Sequence, residues 1–294
     1  MSLNYGLVAI YTILFLTACG KTNRHDSTEP IGIQKSSSKL STRIIYGNDD
    51  RKDLYEVNDQ QLVEWASSTV ALVDENNIEE LSGDFVHLKT KKFGAKYSLC
   101  DTEPYREQPI AAFCSGFLVK EDVIITAWHC VNSTAKCNKT KFVFGFAMNS
   151  FSDDPVIINT KDVYNCKELI RSEVNGKGAD FAVVKLDRKV TDRLPLKLRQ
   201  TGFLTVGTNV TVIGHPTGIP TKIADGAQVR MLNQSFFRTN LDTYGGNSGS
   251  AVFNSLTGEV EGVLVRGDID FVYKNGCRVS KVCKSNECRG EDVT

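Results

Sequence analysis

A glycine-rich stretch at residues 243–253 places one serine, Ser248, in a turn just before an apolar run. Glycines can adopt positive φ angles or allow close backbone approach, so the amides of Gly246 and Ser248 can converge on one point. Two convergent N–H groups beside a hydroxyl form an oxyanion hole, which stabilises the tetrahedral intermediate of acyl transfer. The competing interpretation is an ordinary hairpin loop, because glycine, asparagine and serine are common loop residues.

Two further stretches contain the partners that a serine nucleophile requires. Residues 114–130 include His129, and residues 177–186 include Asp180 before an apolar run. A serine hydroxyl is a weak nucleophile near neutral pH, so an imidazole must remove its proton and later protonate the leaving amine. A buried carboxylate then fixes the tautomer of the imidazole and stabilises the imidazolium. The alternative for Asp180 is a helix cap or a turn aspartate.

The three stretches together resemble the trypsin/chymotrypsin family. The family's Thr-Ala-x-His-Cys signature matches residues 126–130, and its Gly-x-Ser-Gly motif matches residues 246–249. The three residues follow the chymotrypsin order of histidine, aspartate and serine, which differs from the order in subtilisin and the α/β-hydrolases. The resemblance therefore assigns catalysis to His129, Asp180 and Ser248.

The remaining pattern predicts an all-β protein. Gly, Asn, Asp and Pro separate short apolar runs, which is typical of barrels or sandwiches and not of βαβ units. The predicted strands cover residues 69–73, 117–119, 123–126, 142–146, 181–186, 210–213, 251–253 and 260–265. One helix is predicted at residues 59–65, with a polar loop as the alternative. The resemblance implies two six-stranded antiparallel β-barrels of the chymotrypsin type, with His129 and Asp180 in the first, Ser248 in the second, and the active site in the cleft between them.

Composition excludes some classes of partner. The 35 Lys and Arg residues balance the 35 Asp and Glu residues, and no basic stripe occurs. Because phosphate neutralisation supplies the affinity of nucleic-acid binders, we expect no nucleic-acid partner. Phosphate-loop, dinucleotide, EF-hand and zinc signatures do not occur in the sequence, so we expect catalysis without a cofactor or metal. The expected partners are protein or peptide substrates, and the enzyme is expected to be a monomer.

The first 43 residues are predicted to be export and linker sequence. The apolar run at residues 7–16 is too short to span a bilayer and ends in small residues, which indicates a signal peptide over residues 1–18. Residues 16–19 resemble the bacterial lipoprotein box, which implies lipidation and membrane anchoring at Cys19. An ordinary signal peptide is the alternative. The polar residues 19–43 predict a flexible tether, so the domain is expected in the periplasm, on the outer membrane or outside the cell.

The chain has nine cysteines, and without Cys19 they form an even set of eight: Cys100, Cys114, Cys130, Cys137, Cys166, Cys277, Cys283 and Cys288. Exported proteins use such sets as disulfides. The family resemblance implies that Cys114 pairs with Cys130 and closes the loop that presents His129. The sequence leaves the other partners open.

These patterns set the expected domain boundaries. We expect a protease domain at residues 44–275 and a cysteine-rich, disulfide-pinned extension at residues 276–294. The Arg43-Ile44 pair is like the trypsinogen activation site, so cleavage after Arg43 is a hypothesis for maturation. In trypsin-like zymogens the new amine pairs with an aspartate before the nucleophile, but this chain has Asn247 there. The motif around Asn247 instead resembles the bacterial glutamyl endopeptidase branch.

Substrate preference depends on a pocket that the resemblance places around three residues. Asp242, six residues before the nucleophile, lies at the base of the pocket for the residue preceding the scissile bond. An unpaired buried carboxylate would favour Arg or Lys substrates, although Arg266 on the pocket wall could neutralise Asp242. Glutamyl endopeptidases hold acidic substrates with a histidine where this chain has Leu264, so their specificity is not transferred. The sequence therefore predicts a preference for basic residues.

Two other functions compete with an exported serine endopeptidase. The same fold without catalysis could be a surface lipoprotein that acts as a binding module, and a carboxylic esterase could use the same triad. All three triad positions and both oxyanion donors occur in the sequence. Because losing triad members removes most of the rate acceleration, the intact set favours an enzyme that hydrolyses peptide bonds.

Overall fold

The computed structural model describes residues 44–175, 178–284 and 287–294. The predicted signal peptide, the tether, Cys19 and Arg43 lie outside these ranges. None of the helices within the described ranges combines the length and the apolar composition that crossing a membrane requires.

Most elements of the described chain are β-strands. In chain order they are β1 (Ile45–Tyr46), β2 (Arg51–Asp53), β3 (Thr69–Asp74), β4 (Ile78–Glu80), β5 (Phe85–Leu88), β6 (Lys91–Lys92), β7 (Pro109–Ile110), β8 (Ala112–Lys120), β9 (Val123–Thr126), β10 (Thr140–Phe144), β11 (Ile157–Asn159), β12 (Val163–Val174), β13 (Asp180–Leu186), β14 (Asn209–Gly214), β15 (Lys222–Leu232), β16 (Phe237–Thr239), β17 (Ala251–Asn254), β18 (Val260–Arg266), β19 (Phe271–Lys274), β20 (Cys277–Ser280), β21 (Val282–Cys283) and β22 (Glu291–Val293).

The α-helices are short and lie between these strands. They are α1 (Gln60–Ser67), α2 (Phe93–Tyr97) and α3 (Thr134–Asn138), and 3-10 turns occur at Leu54–Glu56, Glu75–Asn77, Thr160–Asp162 and Pro216–Gly218. Helix α1 confirms the predicted helix before the first barrel strand. Its cap is Asp59, whose side chain accepts a hydrogen bond from the amide of Gln61 at 2.9 Å.

Six antiparallel strands close the first barrel in the order β10-β12-β13-β9-β8-β3. Burial alternates along β13, where Asp180, Ala182 and Val184 are buried and the residues between them are partly exposed. This alternation follows from strand geometry, because successive side chains point to opposite faces of a sheet. The register between β13 and β9 pairs Ala182 with Thr126, so Asp180 lies opposite the residues that follow Thr126. Those residues lead into His129.

The second barrel has the strand order β14-β17-β18-β22-β16-β15 and closes because β15 also pairs with β14. Strand β2 pairs with the beginning of β15 outside this ring. The two six-stranded barrels of the predicted fold are therefore confirmed. Ser248 directly precedes β17, which places it in the second barrel, while His129 and Asp180 belong to the first.

The predicted boundary after residue 275 is corrected by the position of β22. This strand, near the end of the sequence, lies between β18 and β16 and contributes to the wall of the second barrel. Without it, β16 and β18 would present unpaired backbone groups at an open edge. The C-terminal residues are thus part of the barrel and not an appended extension.

All eight cysteines within the described ranges form disulfides, namely Cys100–Cys277, Cys114–Cys130, Cys137–Cys166 and Cys283–Cys288. The predicted Cys114–Cys130 pair is confirmed. The first bond joins the segment after α2 to the β19–β20 hairpin, across a sequence separation of 177. It therefore closes a far longer loop than Cys114–Cys130, whose separation is 16.

We expect the loss of the Cys100–Cys277 bond to destabilise the fold more than the loss of the Cys114–Cys130 bond. In the chain-entropy account, longer loops restrict the unfolded state more, which gives about 5 kcal/mol for the long loop and about 3 kcal/mol for the short one. Urea unfolding of the two double-serine variants beside the wild type measures the difference. Equal destabilisation of the two variants would contradict the expectation that the Cys100–Cys277 bond stabilises the fold more.

Candidate active site

His129 and Asp180 lie side by side at the edge of the first barrel. His129 Nδ1 is 3.0 Å from Asp180 Oδ2 and 3.2 Å from Oδ1, and the backbone amide of His129 donates to Oδ1 at 3.3 Å. The carboxylate is buried, whereas the side chain of His129 is 36% exposed. The imidazole is therefore held by one edge and is accessible to a substrate at the other.

The Cys114–Cys130 disulfide lies against this pair. Its two sulfur atoms and a ring nitrogen of His129 are all within 4.8 Å of one another. Because both sulfurs are committed to the disulfide bond, this cluster offers no thiolate to a metal. The Sγ atom of Cys130 is also 3.7 Å from the carbonyl oxygen of Ser248, so the disulfide brings the histidine loop next to the serine turn.

The turn that contains Ser248 packs directly on β8. The Ser115 amide donates to the Ser248 carbonyl oxygen at 2.8 Å, and the Gly249 amide donates to Leu264 at 2.8 Å. Gly249 has a φ of +89°, and a Cβ at this position would lie 2.1 Å from the Ser115 carbonyl oxygen. Only glycine fits this close approach, which explains why the sequence has glycine directly after the serine.

The peptide between Gly245 and Gly246 is fixed so that its N–H is free. The carbonyl oxygen of Gly245 accepts a hydrogen bond from the amide of Thr217. In a trans peptide the N–H points away from the C=O, so the N–H of Gly246 is directed away from Thr217. Within the described residues, this N–H donates to no other group. Gly246 itself has a φ of +94°.

A buried side-chain cluster holds the same turn from behind. The hydroxyl of Ser115 donates to the carbonyl oxygen of Gly246 at 2.9 Å and accepts from the amide of His215 at 2.9 Å. His215 also contacts Thr221 through Nε2 at 3.1 Å and stacks on Phe146. Burial, together with the positive charge of Lys222 nearby, lowers the pKa of His215 to about 3, so its ring is neutral.

His215 directly precedes the 3-10 turn at Pro216–Gly218, so its contacts hold a turn in place beside the serine turn. The sequence pattern does not indicate that Ser115 and Thr217 support the serine turn. Ser115 lies one residue after Cys114, but nothing in that spacing indicates that its hydroxyl reaches Gly246.

Arg266 lies between two buried carboxylates. Its guanidinium is 3.7 Å from Asp180 Oδ2 and 3.7 Å from Asp292 Oδ2, and it donates to the carbonyl oxygen of Gly178 at 3.1 Å. Asp292 also accepts from Arg238 at 2.8 Å. Burial raises the pKa of Asp180, but the hydrogen bonds and charge of His129 and the charge of Arg266 outweigh it, so this pKa lies below its usual value. Asp180 is therefore a carboxylate at neutral pH.

Part of the sequence is similar to known serine proteases. The trypsin-like peptidase domain matches residues 114–263, just over half of the 294 residues. The chain belongs to the trypsin-like peptidase family. Two snake venom serine proteases, from Craspedocephalus gramineus and Trimeresurus stejnegeri, are 30% identical to it over 115 residues. That alignment covers 38% of this chain and 42% of each venom protein.

Solved structures of bacterial proteases resemble the trypsin-like domain. A Glu endopeptidase in complex with MPD aligns with a TM-score of 0.47 and 20% identity, and covers 81% of this chain and 94% of its own. The VesB protease of Vibrio cholerae aligns with a TM-score of 0.48 and 17% identity, over 80% of this chain and 63% of its own.

The structure of the trypsin-like domain corrects the predicted substrate pocket. The Asp242 carboxylate is 4% exposed and accepts hydrogen bonds from the amides of Tyr46 at 2.6 Å and Asp50 at 2.8 Å. Both carboxylate oxygens of Asp242 therefore bind the backbone of residues 46–50. Arg266 does not neutralise Asp242, because it pairs with Asp180 and Asp292. The side chain of Leu264 is fully buried in the core of the second barrel. Asp242 and Leu264 therefore stabilise the fold. Neither side chain faces the solvent, so neither is available to contact a substrate.

The environment of Asp242 predicts a pH-dependent stability. Burial raises its pKa to about 7, although the bonds from the Tyr46 and Asp50 amides act in the opposite direction. Between about pH 4 and 7 the unfolded chain has therefore released a proton that the folded chain retains, so rising pH lowers the contribution of this residue to stability. We expect the unfolding free energy of the wild type to fall by up to about 4 kcal/mol relative to Asp242→Asn across this range.

Urea unfolding at several pH values measures this difference. Asp101→Asn is the matched control, because the side chain of Asp101 is 98% exposed. A constant difference between the wild type and Asp242→Asn from pH 4 to 8 would contradict the burial argument.

Proposed function

We propose that this chain is an exported serine endopeptidase that hydrolyses peptide bonds through an acyl-enzyme formed on Ser248. The observation that carries the proposal is the His129–Asp180 pair beside the serine turn, where the N–H of Gly246 has no acceptor among the residues that the structure describes. The catalytic roles and the endopeptidase activity are part of the proposal.

In the first half of the reaction, Ser248 Oγ attacks the carbonyl carbon of the scissile peptide while His129 Nε2 takes the hydroxyl proton. Asp180 accepts the Nδ1 hydrogen and stabilises the imidazolium without taking the proton. The N–H groups of Gly246 and Ser248 bind the negatively charged oxygen of the tetrahedral intermediate. Collapse of the intermediate transfers the proton from His129 to the leaving amine and leaves the acyl-enzyme.

In the second half, a water molecule replaces the amine. His129 removes a proton from the water as it attacks the ester carbonyl, and the same two amides bind the second oxyanion. Return of the proton to Ser248 releases the carboxylic acid product. Residues of this chain carry out every proton transfer in these reaction steps.

The preference for basic residues is not carried forward, because the Asp242 carboxylate that predicted it is bound to backbone amides. A library of internally varied peptides with blocked N- and C-termini tests both the reaction and its specificity. We expect internal cleavage by the wild type and none by Ser248→Ala. Binding of the library without any cleavage would favour a binding module, and turnover of esters alone would favour an esterase.

Export is the second part of the proposal. Its support is the set of four disulfides, because such bonds persist in oxidising compartments outside the cytoplasm. A lipid anchor at Cys19 would tether the domain to a membrane. Metabolic labelling with a fatty acid should mark the wild type and leave Cys19→Ala unlabelled, whereas equal labelling would remove the anchor from the proposal.

The cluster behind the serine turn leads to a prediction for Ser115. Its hydroxyl restrains the carbonyl group of Gly246, so Ser115→Ala should loosen the oxyanion-binding amides. We expect kcat to fall by about ten- to a hundredfold with little change in KM, because small displacements of a catalytic group reduce the rate strongly.

The matched control is Thr211→Ala. This variant also removes a buried hydroxyl, which bonds to Ser255 at 2.9 Å away from the serine turn. Peptide aldehyde inhibitors, which form a tetrahedral adduct, should lose affinity with Ser115→Ala in parallel with kcat/KM. An unchanged kcat in Ser115→Ala, or an equal loss in Thr211→Ala, would contradict a positioning role.

A further inference from the structure

A cavity of about 380 Å³ lies on the outside of the first barrel. Its lining includes four lysines, one aspartate and one aromatic residue, which are Lys89, Lys91, Lys96, Lys136, Asp74 and Phe113. We call this cavity the lysine pocket. Lys89, Lys91 and Lys96 come from one stretch of the chain that contains β6 and α2, and the fold brings Lys136 of α3 to them.

The four ammonium groups form no close ion pair with an acidic residue of the described ranges. Within the described part of the chain, none of the four takes part in an ion pair, whereas the adjacent Lys92 pairs with Glu107 at 2.7 Å. Burial and repulsion from Lys91 lower the pKa of Lys96. Because the whole chain has equal numbers of basic and acidic residues, this excess of positive charge is local.

The one acidic residue of the lysine pocket is committed elsewhere. The Asp74 carboxylate accepts hydrogen bonds from the backbone amide of Asn76 at 3.0 Å and from its side chain at 2.8 Å. These bonds and the nearby Lys136 and Lys139 lower its pKa. Asp74 therefore remains a single negative charge among four positive ones, and the lysine pocket retains a net positive charge.

The lysine pocket is connected to the proposed active site through strand β8, which contains both Phe113 and Cys114. Phe113 directly precedes Cys114, whose sulfur lies within 4.8 Å of a His129 ring nitrogen. The ammonium of Lys136 lies over the Phe113 ring, 4.1 Å from its centroid. An extended peptide advances about 3.3 Å per residue, so about six residues span the contacts that lead from His129 through Cys114 and Phe113 to Lys136.

We propose that the lysine pocket binds an acidic segment of the peptide substrate and thereby selects substrates with Asp or Glu residues a few positions from the scissile bond. The inference rests on the proposed peptidase function. A carboxylate in the lysine pocket pairs with ammonium groups that otherwise repel one another, and the apolar Phe113 edge supports the peptide chain. The lysine pocket contacts substrate residues several positions from the scissile bond. Its effect on specificity therefore adds to that of the residue directly before the bond.

Paired fluorogenic peptides test the proposal. Each pair is identical around the scissile bond and carries three Glu or three Gln residues between two and six positions away, on one side or the other. We expect the wild type to favour the acidic peptide of one pair by about tenfold in kcat/KM at low salt, as three exposed charge pairs would give. The preference should decline in 0.5 M salt, because screening weakens exposed charge interactions.

The variant Lys91→Gln/Lys96→Gln should reduce this ratio to less than about threefold. The control Lys167→Gln/Lys274→Gln removes the same charge from two exposed lysines that do not line the cavity and should keep the ratio. Equal kcat/KM values for both wild-type peptides, or a ratio that survives in Lys91→Gln/Lys96→Gln, would overturn the proposal.

Binding separates this proposal from the peptidase proposal. Fluorescence anisotropy of the same peptides with the Ser248→Ala protein reports affinity without turnover. Tighter binding of the acidic peptide that is lost in Ser248→Ala/Lys91→Gln/Lys96→Gln supports the lysine pocket even if no peptide is cleaved. Equal binding of acidic and neutral peptides rejects it, even if both are cleaved. Binding of anionic phospholipid vesicles but not of acidic peptides would assign the lysine pocket to a membrane and overturn the peptide assignment.

Discussion

Replacement of Ser248 with alanine is expected to lower kcat by about 10⁴- to 10⁶-fold, with the folded structure retained. Ser248 lies in a turn whose backbone is fixed by Ser115 and Gly249. Alanine fits the same backbone. Only the nucleophilic oxygen is lost. What remains is the contribution of the oxyanion-binding amides and of substrate binding, which by themselves accelerate the reaction far less.

Combined variants provide the sharper form of this prediction. If Ser248 and His129 act as one unit, the double variant should be no slower than Ser248→Ala alone, because the second group has no function without the first. Steady-state kinetics on one cleavable peptide compare the three variants with the wild type and with Ser255→Ala, a serine outside the turn. Losses that multiply would show that the two residues act independently and would contradict the proposed triad.

Asp180→Asn should produce the second largest effect, a fall in kcat of about 10⁴-fold. Asparagine fits beside His129 but cannot stabilise the imidazolium, and its amide can hold the ring in the wrong tautomer. The pKa of Asp180 lies below its usual value, so its charge persists as pH falls through the range where free aspartate begins to protonate. Its interaction with His129 therefore stabilises the folded state above the unfolded pKa and is lost only as pH falls through the lower, folded pKa.

Arg266→Gln is the informative control for Asp180→Asn. It removes the second charge partner of Asp180 but leaves the bond to His129 in place. We expect kcat to fall by less than about tenfold, because the guanidinium lies 3.7 Å from the carboxylate and is partly exposed. A loss with Arg266→Gln as large as with Asp180→Asn would show that Arg266, and not the His129 contact, maintains the activity.

The sequence predicted well those strands whose apolar residues lie in the core. Strand β9 has the predicted bounds, and β3 extends the prediction by one residue. Strand β12 was missed because it alternates polar and apolar residues irregularly and its register with β13 shifts twice. Strand β15 was missed because Gly226, with a φ of +81°, interrupts its pattern.

The C-terminal strand shows a different limit. Strand β22 consists of Glu291, Asp292 and Val293, two of which are acidic, and all three are buried in the second barrel. A hydrophobic pattern does not reveal such a strand, because its carboxylates are stabilised by partners distant in sequence. Asp292 bonds to Arg238, and Glu291 accepts from the hydroxyl of Thr243 at 2.7 Å.

The positions of the proposed triad could be predicted because each residue lies in a short local motif. The pocket could not, because the role of Asp242 depends on a segment about two hundred residues away. Residues 44–50 pass beside Asp242, and the amides of Tyr46 and Asp50 occupy both of its oxygens. The position of Asp242 in the sequence therefore indicated that it lies near the serine turn. It did not indicate which groups donate hydrogen bonds to its carboxylate.

Mass spectrometry of the disulfide-intact protein after treatment with a fluorophosphonate tests the central claim most directly, because this reagent modifies only an activated serine in an assembled site. The account predicts a single adduct on Ser248 of the wild type, and no adduct on Ser248→Ala or His129→Ala. An unmodified wild-type protein, or an adduct that persists in Ser248→Ala, would contradict it.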